Sequence, residues 1–319
     1  MMFKLKPAFK DYLWGGTKLK TDFGFESELD KLAEGWMLSC HKDGESIVDS
    51  GEFKGKTLSE YIGIKGKSVL GSNAEGYDFF PILIKLIDAK DNLSVQVHPD
   101  NEYALRVEGE YGKTECWYIL DCDEGAELIY GFKKKIDADE FKRRIADGSF
   151  LEVVNRVKVK KGDFFFIEAG TLHAIGKGIL LCEIQQNSNT TYRVYDYDRV
   201  DKYGNRRPLH TEKAIDVTVC DRPKYGTQPA EPPVPFGSGT SQLLTECRLF
   251  RVERLTVDTS AEIIPDSSSF ISLIITDGEG EITDGSETLK IKKGDSIFVE
   301  AGSPKITLTG KADIIKTNV

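Results

Sequence analysis

No apolar run in this chain approaches the roughly 20 residues that a membrane-spanning helix requires. No block of lysine and arginine offsets the formal net charge of −9, which argues against a nucleic-acid-binding surface. The opening residues, MMFKLKPAFKDYLWGG, lack the apolar core of a secretory signal, so a cytoplasmic protein without a membrane partner is expected. None of the six cysteines forms a C-x-x-C pair, which speaks against a zinc knuckle or a dithiol redox motif. With no export signal they are expected to be reduced thiols, and Cys116 and Cys182 lie in apolar strand contexts that suit core residues. Histidine is scarce: His41, His98, His173 and His210 are the only four.

What is present fits a globular protein. The 319 residues, 39% hydrophobic and 30% charged, suggest one large domain or two ordinary ones. The most informative stretch is Ser94–Asp100, SVQVHPD. Period-2 alternation puts Ser94, Gln96 and His98 on one face of a strand and Val95 and Val97 on the other. A row with an amide and an imidazole suits a metal or polar ligand better than packing. A second strand, opening GKTEC, sends Lys113, Glu115 and Trp117 to one face. A third, Ile179–Gln185, aligns Leu181, Glu183 and Gln185. Lys85 stands inside the apolar run Pro81–Ile87 and must either pair its ammonium or snorkel out. Trp14, before Gly15-Gly16, reads as a packing tryptophan or as one wall of a sugar site. His41, beside the turn Lys42-Asp43-Gly44, is expected to face solvent. His210 is expected at an interface or a helix cap.

Helices are few. Thr57–Glu60, Asp137–Glu140 and Ser149–Glu152 have capping-box spacing, and Asp100 is placed to cap a helix over Asn101–Val107. The latter two boxes mark a small helical insertion at about residues 137–155. A Pro-, Gly- and Ser-rich segment, 227–242, reads as a linker. It divides the chain into residues 1–226 and 243–319.

The two parts share a unit. Lys160-Lys161-Gly162-Asp163, an aromatic strand and Glu168-Ala169-Gly170 recur as Lys292-Lys293-Gly294-Asp295, a strand and Glu300-Ala301-Gly302. Two copies of one all-β module follow, and many short strands with glycine turns suggest a jelly-roll barrel or sandwich. His173 of the first copy aligns with Lys305 of the second, which contains no histidine. Only the first copy has a metal-ligand set. Its inward candidates are Gln96, His98, Glu115 and His173, a mixed N/O group that suits Zn²⁺ or a related divalent ion. Lys85, Lys113 and Arg193 would make the pocket cationic and favour a small anion such as a sugar phosphate.

The segments SVQVHPD, GKTECWYIL, AGTLHAIGKGILLCEIQQNSNTTYRVYDYDR and an early WGG resemble type I mannose-6-phosphate isomerases of the short bacterial kind. The likeness runs from about Lys6 to His210 and more weakly to the C-terminus. It implies a mainly β chain of two cupin-type jelly-roll modules with a small helical insertion. It also implies one zinc ion per chain and interconversion of mannose 6-phosphate and fructose 6-phosphate through an enediolate. The ligands it implies are Gln96, His98, Glu115 and His173. It implies Arg193 at the substrate and essential to turnover, Lys113 as a site lysine, Glu183 as an acidic pocket residue and Ser94 as a pocket serine. Ile175 departs from the tyrosine that larger relatives carry two residues after the histidine. The proton-transfer base is left open between Glu183, slightly favoured, and Lys113. The oligomeric state is left open between monomer and homodimer. Two other readings stand beside this one: a cupin oxygenase, against which Gln96 counts as a fourth protein ligand, and a non-catalytic sugar-binding or regulatory cupin.

Overall fold

The computed structural model describes residues 1–201 and 203–319. The first module is built from two sheets that face each other. One has six antiparallel strands in the order Phe164–Ile167, Glu115–Cys122, Ile179–Gln186, Ile82–Ala89, Glu34–Leu38 and Ala8–Lys10. The other has five, in the order Val154–Lys158, Glu127–Phe132, His173–Ala174, Val95–Val97 and Tyr192–Tyr195. Between them lie Trp117, Ile119, Phe165, Leu181 and Ile87 from the first sheet and Leu128 and Tyr130 from the second.

Alternation explains why the central strands read as continuous apolar runs. In the six-stranded sheet, Trp117, Leu181 and Ile87 point into the barrel. Their neighbours Cys116, Tyr118, Cys182, Ile184 and Ile84 point the other way, into a second core shared with Phe3, Phe250, Phe270, Phe298 and Ile315. Both faces are covered, so Ile82–Ala89 is buried along its whole length. The outer face of the five-stranded sheet, with Val95, Val97, Tyr192 and Val194, is covered by Phe141 and Ala214 of the helices Ala138–Asp147 and Thr211–Val217.

The second module is a ten-stranded antiparallel sheet around Leu273, Ile275, Ile297, Val299 and Ile314. Its edge is completed by the far end of the chain: Met2–Lys6 pairs with Ser296–Val299, and Ile47–Val48 pairs with Met2–Lys6. The segment 227–242 also departs from a bare linker. Val234–Phe236 and Gly239–Glu246 form a hairpin on this sheet, with Pro235 tolerated because its strand is the outermost in the sheet order.

The repeated unit is a repeated structure. Gly162 and Gly294 have φ of 91° and 93°, a region open to glycine at little cost. Asp163 and Asp295 each accept the backbone N–H three residues earlier, both at 2.9 Å. Ile167 then pairs with Glu115, whereas Val299 pairs with Ile271. The second copy therefore has an isoleucine in place of the glutamate. Its Lys305 is exposed and bonds Glu262 at 2.6 Å.

Of the capping residues, Thr57 closes a reciprocal box on Leu58–Lys65, and Asp100 and Asp137 cap their helices. Ser149 does not cap: it precedes a single 3₁₀ turn, Phe150–Glu152, and makes no side-chain cap bond there. Among the described residues no helix is long and apolar enough to cross a membrane.

Candidate metal centre and pocket

The alternation in SVQVHPD is realised. Val95 and Val97 join the outer core, while Gln96 and His98 turn inward. His173 is the direct cross-strand partner of Gln96, and Arg193 pairs with Gln96 on its other side. The six-stranded sheet brings Glu115 from opposite. Nitrogen and oxygen atoms of His98, Glu115 and His173 lie within 4.8 Å of one another, and all three residues are buried.

Their protons are arranged for coordination. The Nδ1 atoms of His98 and His173 lie 2.8 Å from the carbonyls of Thr190 and Thr171. A carbonyl only accepts, so both Nδ1 atoms carry hydrogen and both Nε2 atoms are left as unprotonated acceptors. Burial pushes the imidazole pKa values down, to about 4 for His173 and well below the usual value for His98. Both rings are neutral near pH 7. Neither oxygen of Glu115 accepts a hydrogen bond among the described residues, although Lys113 Nζ approaches Oε2 at 2.9 Å. Lys113 Nζ is also 3.2 Å from His98 Nε2. Two unprotonated imidazole nitrogens and an under-satisfied buried carboxylate within one small cluster form a donor set that fits a divalent cation.

Beside this group lies a buried charge network. Lys85 sits between Glu34 and Glu183, 3.6 and 3.1 Å away, and Lys113 is 3.9 Å from Glu183. Lys85 therefore does not snorkel; it is 4% exposed. Glu183 Oε2 accepts from Trp117 Nε1 at 2.9 Å. Burial raises the Glu183 pKa, but Lys113 and Lys85 outweigh it and hold the carboxylate ionised. Glu115 moves up, pushed by burial and by the charge of Glu183. Taken ionised, these two lysines and three glutamates sum to −1, and a divalent ion would reverse the sign. Desolvating five charges costs several kcal/mol apiece before pairing, an arrangement that favours binding over stability.

The pocket beside the network is lined by Tyr12, Trp14, Ser94, Gln96, Asn189, Arg193 and Arg207, with Glu34, Lys85, Lys113 and Glu183 at its floor. All ten residues singled out from sequence thus gather around one place. Trp14, 3% exposed, packs with Ala33 and Ile87 and also lines the pocket. One reading needs correction. His41 is 5% exposed rather than solvent-facing: its Nδ1 accepts the Asp43 N–H at 3.1 Å and its Nε2 lies 3.6 Å from Glu110. His210 stands before Thr211–Val217 without a side-chain cap bond there, and its Nδ1 accepts the Arg193 N–H at 3.2 Å. Ile175 lines the pocket as an apolar wall.

Glu34, Tyr12 and Arg207 were not visible beforehand. Glu34 begins a strand that reads as apolar, and Tyr12 and Arg207 lie in segments without periodicity. Burial and the charge of Glu34 push the Tyr12 hydroxyl up to about 12. A larger apolar cavity of about 420 Å³, bordered by Cys40, Tyr77, Phe79 and Tyr111, lies elsewhere. It contains no cluster of metal-ligating residues among those described.

Comparison with known proteins bears on the same assignment. A family model described as the phosphomannose isomerase type I catalytic domain matches residues 2–125. One described as the mannose-6-phosphate isomerase cupin domain matches residues 240–319. The chain is 42% identical to mannose-6-phosphate isomerase ManA of Bacillus subtilis, over 98% of each chain. It is 39% identical to the mannose-6-phosphate isomerase of Streptococcus mutans, over 96% of this chain and 94% of the relative. The crystal structure of mannose 6-phosphate isomerase from Bacillus subtilis superposes with a TM-score of 0.93 at 38% identity, covering 100% of this chain and 99% of the other. A phosphomannose isomerase variant from Salmonella typhimurium shares the fold at 17% identity, with a TM-score of 0.78 over 99% and 98% of the two chains.

Proposed function

The chain belongs to the type I phosphomannose isomerase family, and from that premise we propose that it interconverts mannose 6-phosphate and fructose 6-phosphate in this pocket with one bound zinc ion. The observation that carries the reading is the cluster of two Nδ1-protonated, neutral histidines and an under-satisfied buried glutamate beside a lysine-rich pocket. His98, Glu115 and His173 would hold the ion. Gln96 would join them once its amide is turned over, since its nitrogen now faces His173 Nε2 at 3.4 Å and its oxygen accepts from Ser94 at 3.2 Å. The contribution of the ion, when bound, is to polarise the C1 and C2 oxygens and offset the charge of an enediolate.

The protein's own residues do the rest. Isomerisation moves one proton between C1 and C2, so the group that carries it must reach both carbons. Lys113 lies between Glu115 and the pocket, while Glu183 holds it at 3.9 Å and is itself held ionised by two ammonium groups. A carboxylate stabilised in this way is a weak base. We assign proton transfer to Lys113, which must first give up its own proton, a loss that a divalent ion beside it would favour, and give Glu183 the task of placing it. Lys85 fixes Glu183 from behind. Arg193 offers a guanidinium with no ion-pair partner among the described residues to the negative charge of the substrate. Ser94 and Trp14 border the sugar. The second module, with Ile271 and Lys305 at the corresponding positions, binds no metal in this proposal. A cytoplasmic location and a monomeric or homodimeric state complete it. Family membership favours this over the oxygenase and non-catalytic readings.

The test is a coupled assay on both sugar phosphates before and after chelation. Turnover that disappears with chelator and returns with added zinc is expected. Conversion that survives complete metal removal, or tight mannose 6-phosphate binding with no conversion by zinc-loaded protein, would overturn it.

A further inference from the structure

The two histidines of the donor set are held in different ways. His173 Nδ1 meets the Thr171 carbonyl at 2.8 Å, in a turn closed by the main chain: Thr171 N–H bonds the Glu168 carbonyl at 3.0 Å. His98 Nδ1 meets the Thr190 carbonyl, also at 2.8 Å. Thr190 lies in the loop between the strands Ile179–Gln186 and Tyr192–Tyr195. Its N–H bonds the Ser188 hydroxyl at 3.2 Å. From outside the loop it is reached by a side chain. Glu110 Oε2 lies 3.4 Å from the Thr190 hydroxyl and 3.4 Å from the Asn189 backbone nitrogen.

The other oxygen of Glu110 faces a different segment. Oε1 is 2.8 Å from Lys42 Nζ and 3.6 Å from His41 Nε2. His41 Nδ1 accepts the Asp43 N–H, so Nε2 carries the hydrogen and turns it toward the carboxylate. Asp43 completes the connection by accepting from Asn189 Nδ2 at 2.8 Å. Burial raises the Glu110 pKa, but Lys42 and His41 outweigh it and keep the group ionised at neutral pH. One half-buried carboxylate thus joins the turn at His41 to a loop 79 and 80 positions further along the chain than itself. The consequence falls on His98. An imidazole ligates through the nitrogen that its other hydrogen bond leaves unprotonated. If the Thr190 carbonyl moves away, the ring is free to turn or to place its hydrogen on Nε2, and the donor set loses a member. We propose that Glu110 is a positioning residue for the metal centre, fixing through Asn189 and Thr190 the carbonyl that sets the tautomer and direction of His98. The inference rests on the metal-binding part of the reading above.

The probe is zinc alone, titrated against a chromophoric chelator into metal-free wild-type protein and the variants Glu110→Ala, Thr190→Val and Glu168→Ala. Glu110→Ala should raise the zinc Kd roughly tenfold or more. Thr190→Val keeps the carbonyl and loses the bond of its hydroxyl, so a rise of about threefold is expected, with nothing added when it is combined with Glu110→Ala. Glu168→Ala removes a surface ion pair and leaves the main-chain turn of His173 intact, so its Kd should stay within about twofold. A second measurement is independent of zinc. Nitrogen-15 spectra of the metal-free protein should show His98 as one Nδ1–H tautomer in the wild type and as a mixture in Glu110→Ala. Equal zinc affinity of wild type and Glu110→Ala, an equal loss in Glu168→Ala, or an unchanged tautomer would overturn the proposal. Thr190→Val carries both measurements if Glu110→Ala fails to fold. Wild-type protein that binds no zinc would instead sink the metal reading, and the tautomer comparison then decides the role of Glu110.

Discussion

Gln96 and His173 stand directly opposite each other on adjacent antiparallel strands, and their side-chain nitrogens meet 3.4 Å apart inside the barrel. They are 77 positions apart in the chain. The contact is a consequence of register. A slip of one residue in either strand would turn that strand's side chain to the helix-covered face and destroy the site.

Replacing Glu115 by glutamine removes the carboxylate of the donor set while keeping its shape. Bound zinc should fall from one per chain to a small fraction, and activity should fall by at least about 100-fold, with the circular dichroism spectrum unchanged. Metal analysis of the purified variant decides; full zinc occupancy would refute the ligand assignment.

Lys85→Met should be costly for a different reason. It leaves Glu34 and Glu183, now 3.6 and 3.1 Å from the ammonium, as buried carboxylates without that partner. A loss of about 3–5 kcal/mol is expected, read by urea unfolding. Adding Glu183→Gln should restore part of it, since one of the stranded charges is removed. Purely additive losses would show that the two do not interact.

The metal-free protein should weaken as pH falls from 6 to 5. His173 titrates near 4 in the folded chain, His98 also lies below its usual value, and unfolded histidines titrate near 6.5. In this window the unfolded state binds the two protons that the folded state refuses. Glu115, raised by burial and by the charge of Glu183, binds part of one proton in the folded state and opposes them. About one proton remains, a loss of roughly 1.4 kcal/mol per pH unit. Chelated protein unfolded in urea at the two pH values provides the measurement, and equal midpoints would contradict it.

Phe298 should separate stability from chemistry. It is fully buried between the modules, with ring centres 5.3 Å from both Phe3 and Phe270. Phe298→Ala should cost about 3–5 kcal/mol and lower the melting temperature. It lies in the core behind the six-stranded sheet, so kcat at 25 °C should be retained. A variant that keeps its stability but loses activity would mean that the shared core positions the site.

Much of the site was legible because strands have a period of two. Gln96 beside His98, Glu115 beside Lys113, and Glu183 within an apolar run stand out wherever polar groups recur on one face. The repeated K-K-G-D turn was legible because its glycine and aspartate do local work, a positive φ and a bond three residues back. His41 was misread because the turn beside it is polar, whereas Trp36, five residues before it, and Glu110, remote in sequence, pack against its ring.

By itself the sequence determined the fold class, the duplicated unit and which copy holds the histidines, since each follows from local period, turn chemistry and residue identity. Tertiary structure decided how those residues meet. It placed Lys85 between two carboxylates, freed the Nε2 atoms by aiming Thr171 and Thr190 carbonyls at Nδ1, and set Arg207 beside Arg193 through Asp196. It also carried Met2–Lys6 into the second module's sheet. These depend on cross-strand register and on loops that close over distance, and neither leaves a mark in the local pattern of side chains.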